Sequence, residues 1–208
     1  MNTAAAPADD ERRRCPWAGI GDTEYARYHD EEWGVPLLAE RDLFEKLVLE
    51  GFQAGLSWLT ILRKRPAFRA AFANFDIPTV AQFGEPDIDR LMTDHGIVRH
   101  RGKIEAAISN ARACLALRET GGLPALIWSH FPDGPLRHRR TSTSEIPSAT
   151  THSKAVSKAL KARGFRFVGP TTVYACLQSA GMVNDHLVTC HRHGPCDQLQ
   201  EDVRARLV

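Results

Sequence analysis

Apolar side chains recur at intervals of three and four residues along much of the chain, the spacing of helices that bury one face. The clearest example is the segment 40–49, whose apolar positions are Leu43, Phe44, Leu47 and Val48. Few segments alternate apolar and polar residues, as a strand with one buried face would. The sequence therefore predicts an all-α fold.

Residues that favour helix ends divide this pattern into separate helices. Ser57 is placed to cap a helix that begins at Trp58, and the prolines of Asp76–Pro78 and Glu85–Asp87 suit first helical turns. A longer helix is predicted from Lys103 to Leu117, before the Gly121-Gly122 pair. The Ser-, Thr- and Pro-rich stretch 139–153 predicts an exposed loop, with Ser153 as the cap of the next helix.

The segment Lys161–Thr172 predicts a helix-hairpin-helix. Gly164 follows one helix, and Gly169 and Pro170 stand at the head of another. Glycine allows close backbone approach, and the N–H groups of a helix start can receive a phosphate. An ordinary turn between two helices is the alternative. The expected DNA contacts are Lys161, Arg163, Gly164, Arg166, Gly169 and Thr171.

Composition narrows the class of protein more than net charge does. The chain has 208 residues, 43% hydrophobic content and a formal charge of +2, which is compatible with an anionic partner but does not require one. Apolar runs are too short to span a bilayer, so no membrane partner is expected. Residues 1–13 have no apolar segment of a secretory signal and predict a disordered tail. With five cysteines, these features predict a cytoplasmic protein.

Two pairs of potential metal ligands lie near opposite ends of the chain. They are Cys15 with His29, and His186 with Cys190. The second pair could face one side of a helix, and a Cys2His2 set suits a closed, structural zinc site. Buried thiols and hydrogen-bonded core histidines are the alternative, and Cys196 is a rival ligand. Cys114 and Cys176 lie on apolar helix faces and are expected in the core.

Several long motifs carry a resemblance to one family. They are Arg14–Trp17, Tyr28–Gly34, Leu49–Trp58, Gly96–Lys103 and Val183–His186. Together they closely resemble the family of 3-methyladenine DNA glycosylase I, within the helix-hairpin-helix glycosylase superfamily. The resemblance runs from Arg14 to Cys190 and implies one unit, residues 14–190, with two helical lobes around a base pocket. Residues 191–208 would form a C-terminal tail.

The resemblance also implies the roles of individual residues. The zinc ligands fall on Cys15, His29, His186 and Cys190, so one structural zinc would join the N- and C-terminal segments. Glu50 would bind the base and contribute to catalysis. The expected aromatic lining of the pocket is Tyr28 and Trp58, which stack on the base, with Trp17, Tyr25 and Trp33.

One position departs from the wider superfamily. Its members resemble V-D-x-H-V around a catalytic aspartate, whereas Asn184 holds that place here, and Met182 stands where bifunctional members have a lysine. Asp185 is expected to orient His186 rather than act on the substrate.

The resemblance therefore implies a monofunctional DNA glycosylase that excises 3-methyladenine from alkylated double-stranded DNA. The protein is expected to be a monomer. No organic cofactor is expected either, since the sequence contains no dinucleotide fingerprint and no P-loop. A zinc-stapled module that binds DNA without chemistry is one alternative. A glycosylase for a different alkylated base is the other.

Overall fold

Helices make up most of the described chain, residues 12–18 and 22–207 of a computed structural model. The α-helices are α1 (Thr23–Glu31), α2 (Glu40–Gln53), α3 (Trp58–Ala71), α4 (Ile77–Ala81), α5 (Glu85–Thr93), α6 (Arg101–Leu117), α7 (Gly122–Trp128), α8 (Thr151–Ala162), α9 (Pro170–Ser179) and α10 (His193–Leu207). Two short strands, β1 (Leu136–Arg137) and β2 (Val183–Asn184), pair in parallel. The mostly helical architecture that the sequence predicts is confirmed.

Most of the predicted helix starts are also confirmed. The Ser57 side chain accepts a hydrogen bond from the Thr60 N–H, and Asp76 does the same for the Thr79 N–H. Gly121 follows the α6 region with a positive φ of 95°, which a residue with a side chain adopts only with strain. Local cap chemistry thus places these boundaries correctly.

The predicted start of α8 is wrong by three residues. The cap is Thr150, whose hydroxyl accepts from the Ser153 N–H at 3.1 Å. Ser153 lies in the first turn instead, and its own hydroxyl accepts from the Thr150 N–H at 2.9 Å. Two hydroxyl residues three positions apart form a reciprocal cap, and the sequence alone does not tell which one comes first.

Helix α2 lies at the centre of the molecule and packs against α3, α6, α7 and α9. All residues from Leu43 to Phe52 are buried, so the helix has no solvent face along this stretch. Three charged side chains, Glu45, Lys46 and Glu50, are therefore buried with it. A second apolar cluster lies between α1 and the segment after β2, and Trp58 packs against both clusters.

The first described residues meet the segment after β2 beside this second cluster. The His191 N–H donates to the Arg13 carbonyl at 2.8 Å. The segment that the sequence predicts as a C-terminal tail instead forms helix α10, which buries Cys196 and Val203. The predicted N-terminal tail, apart from Arg12 and Arg13, lies outside the described residues.

Three of the basic residues from Arg99 to Lys103 make contacts within the protein, and the His100 ring caps α6 by accepting a hydrogen bond from the Lys103 N–H at 3.2 Å. The Lys103 ammonium donates to the carbonyls of Phe52 and Ala54 at the end of α2, at 2.9 and 2.7 Å. Arg101 pairs with Glu85 and Glu105. Among the described residues, no helix has both the length and the apolar character to cross a membrane.

Candidate functional site

The four predicted metal ligands converge in one buried cluster. The donor atoms of Cys15, His29, His186 and Cys190 all lie within 4.8 Å of one another. Cys190 Sγ is 3.4 Å from His29 Nε2 and 3.5 Å from His186 Nδ1, and Cys15 Sγ is 3.6 Å from His186 Nδ1. Residues more than 150 positions apart therefore meet at a single point.

These separations fit tetrahedral zinc. Bonds of about 2.3 Å to sulfur and about 2.0 Å to nitrogen place neighbouring sulfur and nitrogen ligands about 3.5 Å apart. The second ring nitrogens are also held, because His29 Nδ1 lies 2.8 Å from Asp30 Oδ1 and His186 Nε2 lies 3.0 Å from the Trp33 carbonyl. Such contacts fix the orientation of ligand histidines.

Backbone N–H groups support the two sulfur atoms. The Leu187 N–H donates to Cys15 Sγ at 3.5 Å, and the Arg192 N–H donates to Cys190 Sγ at 3.4 Å. Burial lowers the pKa of His186, which favours the neutral imidazole that a metal requires. The donor set and its surroundings thus suit a closed structural metal site.

The local geometry of His186 and Cys190 differs from the sequence prediction. They do not lie on a helix but in the irregular segment between β2 and α10. Asn184 shapes this segment, because its side chain accepts from the His186 N–H and donates to the His193 carbonyl. Long-range bonds of this kind leave no periodic signal in the sequence.

The expected role of Asp185 is wrong as well. This buried carboxylate accepts hydrogen bonds from Arg140 at 2.7 Å, from Gln178 at 2.8 Å and from Tyr174, and lies 2.7 Å from His138 Nδ1. His186 is instead oriented by the Trp33 carbonyl. Asp185 therefore ties α9 to the segment after β1.

The remaining cysteines are outside the cluster of four donors. Cys114 and Cys176 are buried in the main core, as predicted. Cys196, the rival ligand, is buried on α10, with its Sγ 3.7 Å from Arg192 Nη2. The metal cluster of the described residues does not include it.

The residues predicted to bind the base line one cavity of about 260 Å³. They are Trp17, Tyr25, Tyr28, Trp33, Glu50 and Trp58. The lining is completed by four residues that were not predicted from the sequence, namely Gln53, Ile146, Ala175 and Gln178. The ring centres of Tyr28 and Trp58 are 5.4 Å apart, and those of Trp17 and Trp33 are 4.9 Å apart. Aromatic faces thus surround a space that can hold a planar ligand.

Glu50 places a carboxyl group in this aromatic surrounding. It is 4% exposed and accepts a hydrogen bond from the Ser179 hydroxyl at 3.3 Å. Burial raises the pKa of Glu50 to about 7, and the charge of Lys46 acts in the opposite direction. The Trp58 indole N–H is buried without a hydrogen-bond acceptor among the described residues. The cavity lining therefore combines aromatic rings with a buried carboxyl group.

The metal cluster and the cavity share structural elements. Trp33 lines the cavity with its ring and binds His186 through its carbonyl. The ring centres of Trp17 and His29 are 5.2 Å apart. A metal held by these histidines would fix two walls of the cavity.

The predicted helix, turn and helix at Lys161–Thr172 are present as α8, a turn at Gly164 and α9. Gly164 has a φ of 86°. Gly169 is the N-cap of α9, and apart from its chain neighbours no residue lies within 4 Å of the position that a Cβ would take there. The side chains of Lys161, Arg163, Arg166 and Thr171 are exposed. The turn and its cations are thus available to an external anion.

Two residues that the sequence analysis missed hold this turn in place. Asn110 on α6 pairs with the backbone of Arg166, donating to its carbonyl at 3.1 Å and accepting from its N–H at 2.8 Å. Ser157 donates to the Val168 carbonyl at 2.6 Å. The polar Asn110 within the apolar pattern of α6 was the signal that could have indicated such a contact.

Comparisons with known proteins agree with this geometry. A model of the methyladenine glycosylase family matches residues 17–193. The DNA-3-methyladenine glycosylase 1 of Escherichia coli K12 is 50% identical over 178 residues, which are 85% of this chain and 95% of that protein.

Solved structures extend the match to the fold. A crystal structure of 3-methyladenine DNA glycosylase I has a TM-score of 0.84 and 48% identity, covering 87% of this chain and 100% of that one. The Staphylococcus aureus 3-methyladenine DNA glycosylase I, in a structure concerning 3-methyladenine recognition, has a TM-score of 0.83 and 39% identity, covering 86% and 96%. The chain belongs to the methyladenine glycosylase family.

Proposed function

We propose that the protein is a monofunctional DNA glycosylase that hydrolyses the N-glycosidic bond of 3-methyladenine in alkylated double-stranded DNA. The observation that carries the proposal is the aromatic cavity with the buried Glu50 carboxyl group. The names of the similar proteins support it. A module that only binds phosphates would have no use for such a cavity.

The cavity suits a base that has left the duplex. An enzyme that acts on a base must swing it out of the stack and hold it by stacking and hydrogen bonds. Methylation at N3 makes the adenine cationic, so a buried carboxylate and electron-rich rings favour it over neutral adenine. Tyr28 and Trp58 are the proposed stacking rings, and Glu50 is the proposed charge partner.

Hydrolysis needs no covalent enzyme intermediate in this proposal. Met182, at the position of the lysine in bifunctional enzymes, is apolar and buried. Asn184 is occupied by bonds to His193 and His186. Water therefore attacks the sugar carbon, and the charged base is itself a good leaving group. Borohydride during turnover should trap no protein–DNA adduct, and a trapped adduct would contradict the monofunctional mechanism.

We also propose that Cys15, His29, His186 and Cys190 hold one structural zinc ion per chain. All four positions of a tetrahedral ion would be filled by protein, so its role is to join the chain ends and steady the pocket. Elemental analysis should find about one zinc per chain. It should find almost none after Cys15→Ser with Cys190→Ser, and full occupancy in that variant would contradict the ligand set.

The hairpin is the proposed phosphate contact. The exposed residues Lys161, Arg163 and Arg166 would position the duplex through charge without reading its sequence. Four expectations stay predictions. They are that the protein acts as a monomer, that it needs no organic cofactor, that it is cytoplasmic, and that the glycosylase unit spans residues 14–190.

Incubation with methylated duplex DNA tests the activity directly. The protein should release 3-methyladenine as the free base, faster than spontaneous loss. Release of another alkylated base instead would favour the glycosylase of different specificity. Binding of DNA without release of any base would favour the non-catalytic module.

A further inference from the structure

Lys46 is a buried cation one helical turn before Glu50 on α2. Residues four apart share a helix face, so the two side chains lie on the same side of α2. Lys46 is 7% exposed and Glu50 is 4% exposed. Among residues 12–18 and 22–207, no hydrogen bond or ion pair to the Lys46 side chain is found. A charge on a residue with so little exposure is costly, and its surroundings therefore need an explanation.

The Lys46 ammonium lies against the rings of the base cavity. It is 4.9 Å from the ring centre of Tyr28 and 5.3 Å from that of Trp58. Lys46 also borders a second cavity of about 170 Å³, whose lining includes Ser179, the hydrogen-bond donor of Glu50. Lys46 thus contacts the two proposed stacking rings and shares a cavity wall with the hydrogen-bond donor of Glu50.

The other titratable groups that face Glu50 are neutral near pH 7. On α1, burial raises the pKa of the Tyr25 and Tyr28 hydroxyls. On α9, burial raises the pKa of the Cys176 thiol, which is fully enclosed in the core. None of these groups supplies a positive charge to Glu50.

The remaining charges near Lys46 are already paired with one another. After α1, the Glu32 carboxylate forms a bidentate pair with Arg65 of α3. On α2 itself, Glu45 pairs with Arg41 and with Arg69 of α3. Lys46 is therefore the cation left to stabilise the ionised form of Glu50.

We propose that Lys46 is a positioning residue for base recognition: its ammonium favours the ionised form of Glu50 and so sets the lower end of the pH range for activity. This inference rests on the proposed role of Glu50. Burial raises the pKa of Glu50, and Lys46 opposes that rise. Without Lys46, Glu50 would take up a proton at a higher pH and would no longer attract a cationic base.

Two effects of Lys46 can be separated by their dependence on pH. The ammonium favours ionisation of Glu50, which moves the acidic limb of kcat/KM, since that limb reports a group of the free enzyme. The same ammonium repels a cationic base stacked on Tyr28 and Trp58, which changes the height of the plateau. The substrate charge is constant because a methyl group, not a proton, creates it.

The test is the pH profile of kcat/KM for Lys46→Met on methylated duplex DNA, corrected for spontaneous release. An opposite charge at close range shifts a carboxyl pKa by about one unit or more. The acidic limb should therefore move to higher pH by about one unit. At pH values below the limb, kcat/KM of Lys46→Met relative to its own plateau should then be roughly tenfold lower than the same ratio for wild type. Lys46→Arg, which keeps the charge, should retain the wild-type limb.

Lys64→Met is the matched control. The Lys64 ammonium donates to the carbonyls of His95 and Gly96 on another surface, so its removal should not move the limb. If Lys46→Met does not fold, Lys46→Gln removes the same charge with a polar side chain. A limb at the wild-type pH in a folded, charge-free variant would overturn the proposal.

Glu50→Gln distinguishes this outcome from failure of the proposed function. Wild-type kcat/KM in Glu50→Gln would contradict the role of Glu50 itself. Loss of activity in Glu50→Gln together with an unmoved limb in Lys46→Met would overturn only the inference about Lys46. In the Glu50→Gln background, Lys46→Met should have no limb left to move.

Discussion

Replacing Glu50 with glutamine should stabilise the protein at high pH, because the native carboxylate is ionised in a buried position. The pKa of Glu50 is about 7 in the folded protein, against 4.5 for an ordinary glutamate. The folded state therefore holds the proton more tightly than the unfolded state does. The stability that this proton provides is fully present below about pH 4.5 and is lost as the pH rises through about 7.

The size of the effect follows from the difference between these two pKa values. Each pH unit corresponds to about 1.4 kcal/mol, so ionisation of the buried group costs about 3 kcal/mol of folding free energy at pH 8 to 9. Glutamine does not titrate and avoids this cost. For a chain of this size the variant should gain roughly 10 °C in Tm relative to wild type between pH 5 and pH 9.

Calorimetric scans of the zinc-loaded protein at several pH values would measure this difference. Loss of the Ser179 contact or an altered charge on Lys46 adds an offset, so the informative quantity is the change with pH. Glu119→Gln, which replaces an exposed glutamate on the surface, is the control and should show no such trend. A Tm difference between Glu50→Gln and wild type that is constant from pH 5 to 9 would contradict a raised pKa of Glu50 in the folded protein.

Three further perturbations test the metal site and the hairpin. Removal of zinc by a chelator should lower the Tm markedly and reduce base release, because metal binding is coupled to folding; an unchanged melting curve would contradict a structural role. Gly169→Asp should weaken DNA binding at low salt, whereas Gly169→Asn should not. Both side chains fit the open space at this cap, but only the aspartate repels phosphate. Equal affinities of the two variants would indicate that DNA binds elsewhere. Asn110→Ala should cost about 2 kcal/mol of stability, because it leaves the Arg166 backbone unpaired. It should also weaken DNA binding, measured by titration, and unchanged affinity would indicate that the hairpin is not part of the DNA interface.

Local signals in the sequence predicted most helices correctly. The features that were not predicted depend on long-range contacts. Ser57 and Asp76 act as caps through residues three positions away, so their role is readable in the sequence. The C-terminal helix was missed because its buried positions do not form an obviously apolar stripe; they are His193, Cys196, Gln200 and Val203.

The site shows the same division. The resemblance of several motifs to one family identified the ligands of the metal cluster and the aromatic residues of the cavity. They could not indicate that Asp185 binds Arg140 and Gln178, because those partners lie 45 and 7 residues away and are chosen by the fold. The burial of Lys46 was equally hidden, since a lysine within a helical pattern usually indicates a solvent face.

The most direct test of the account is kcat/KM for release of 3-methyladenine from methylated duplex DNA by wild type and Glu50→Gln at pH 8. Glu50 is ionised at this pH, so removal of its charge has its full effect on the cationic base. Glu50→Gln should lose at least tenfold in kcat/KM, equivalent to about 1.4 kcal/mol of transition-state stabilisation, and should retain the fold and the zinc content. Equal kcat/KM values for the two proteins would contradict recognition of the base by the buried carboxylate.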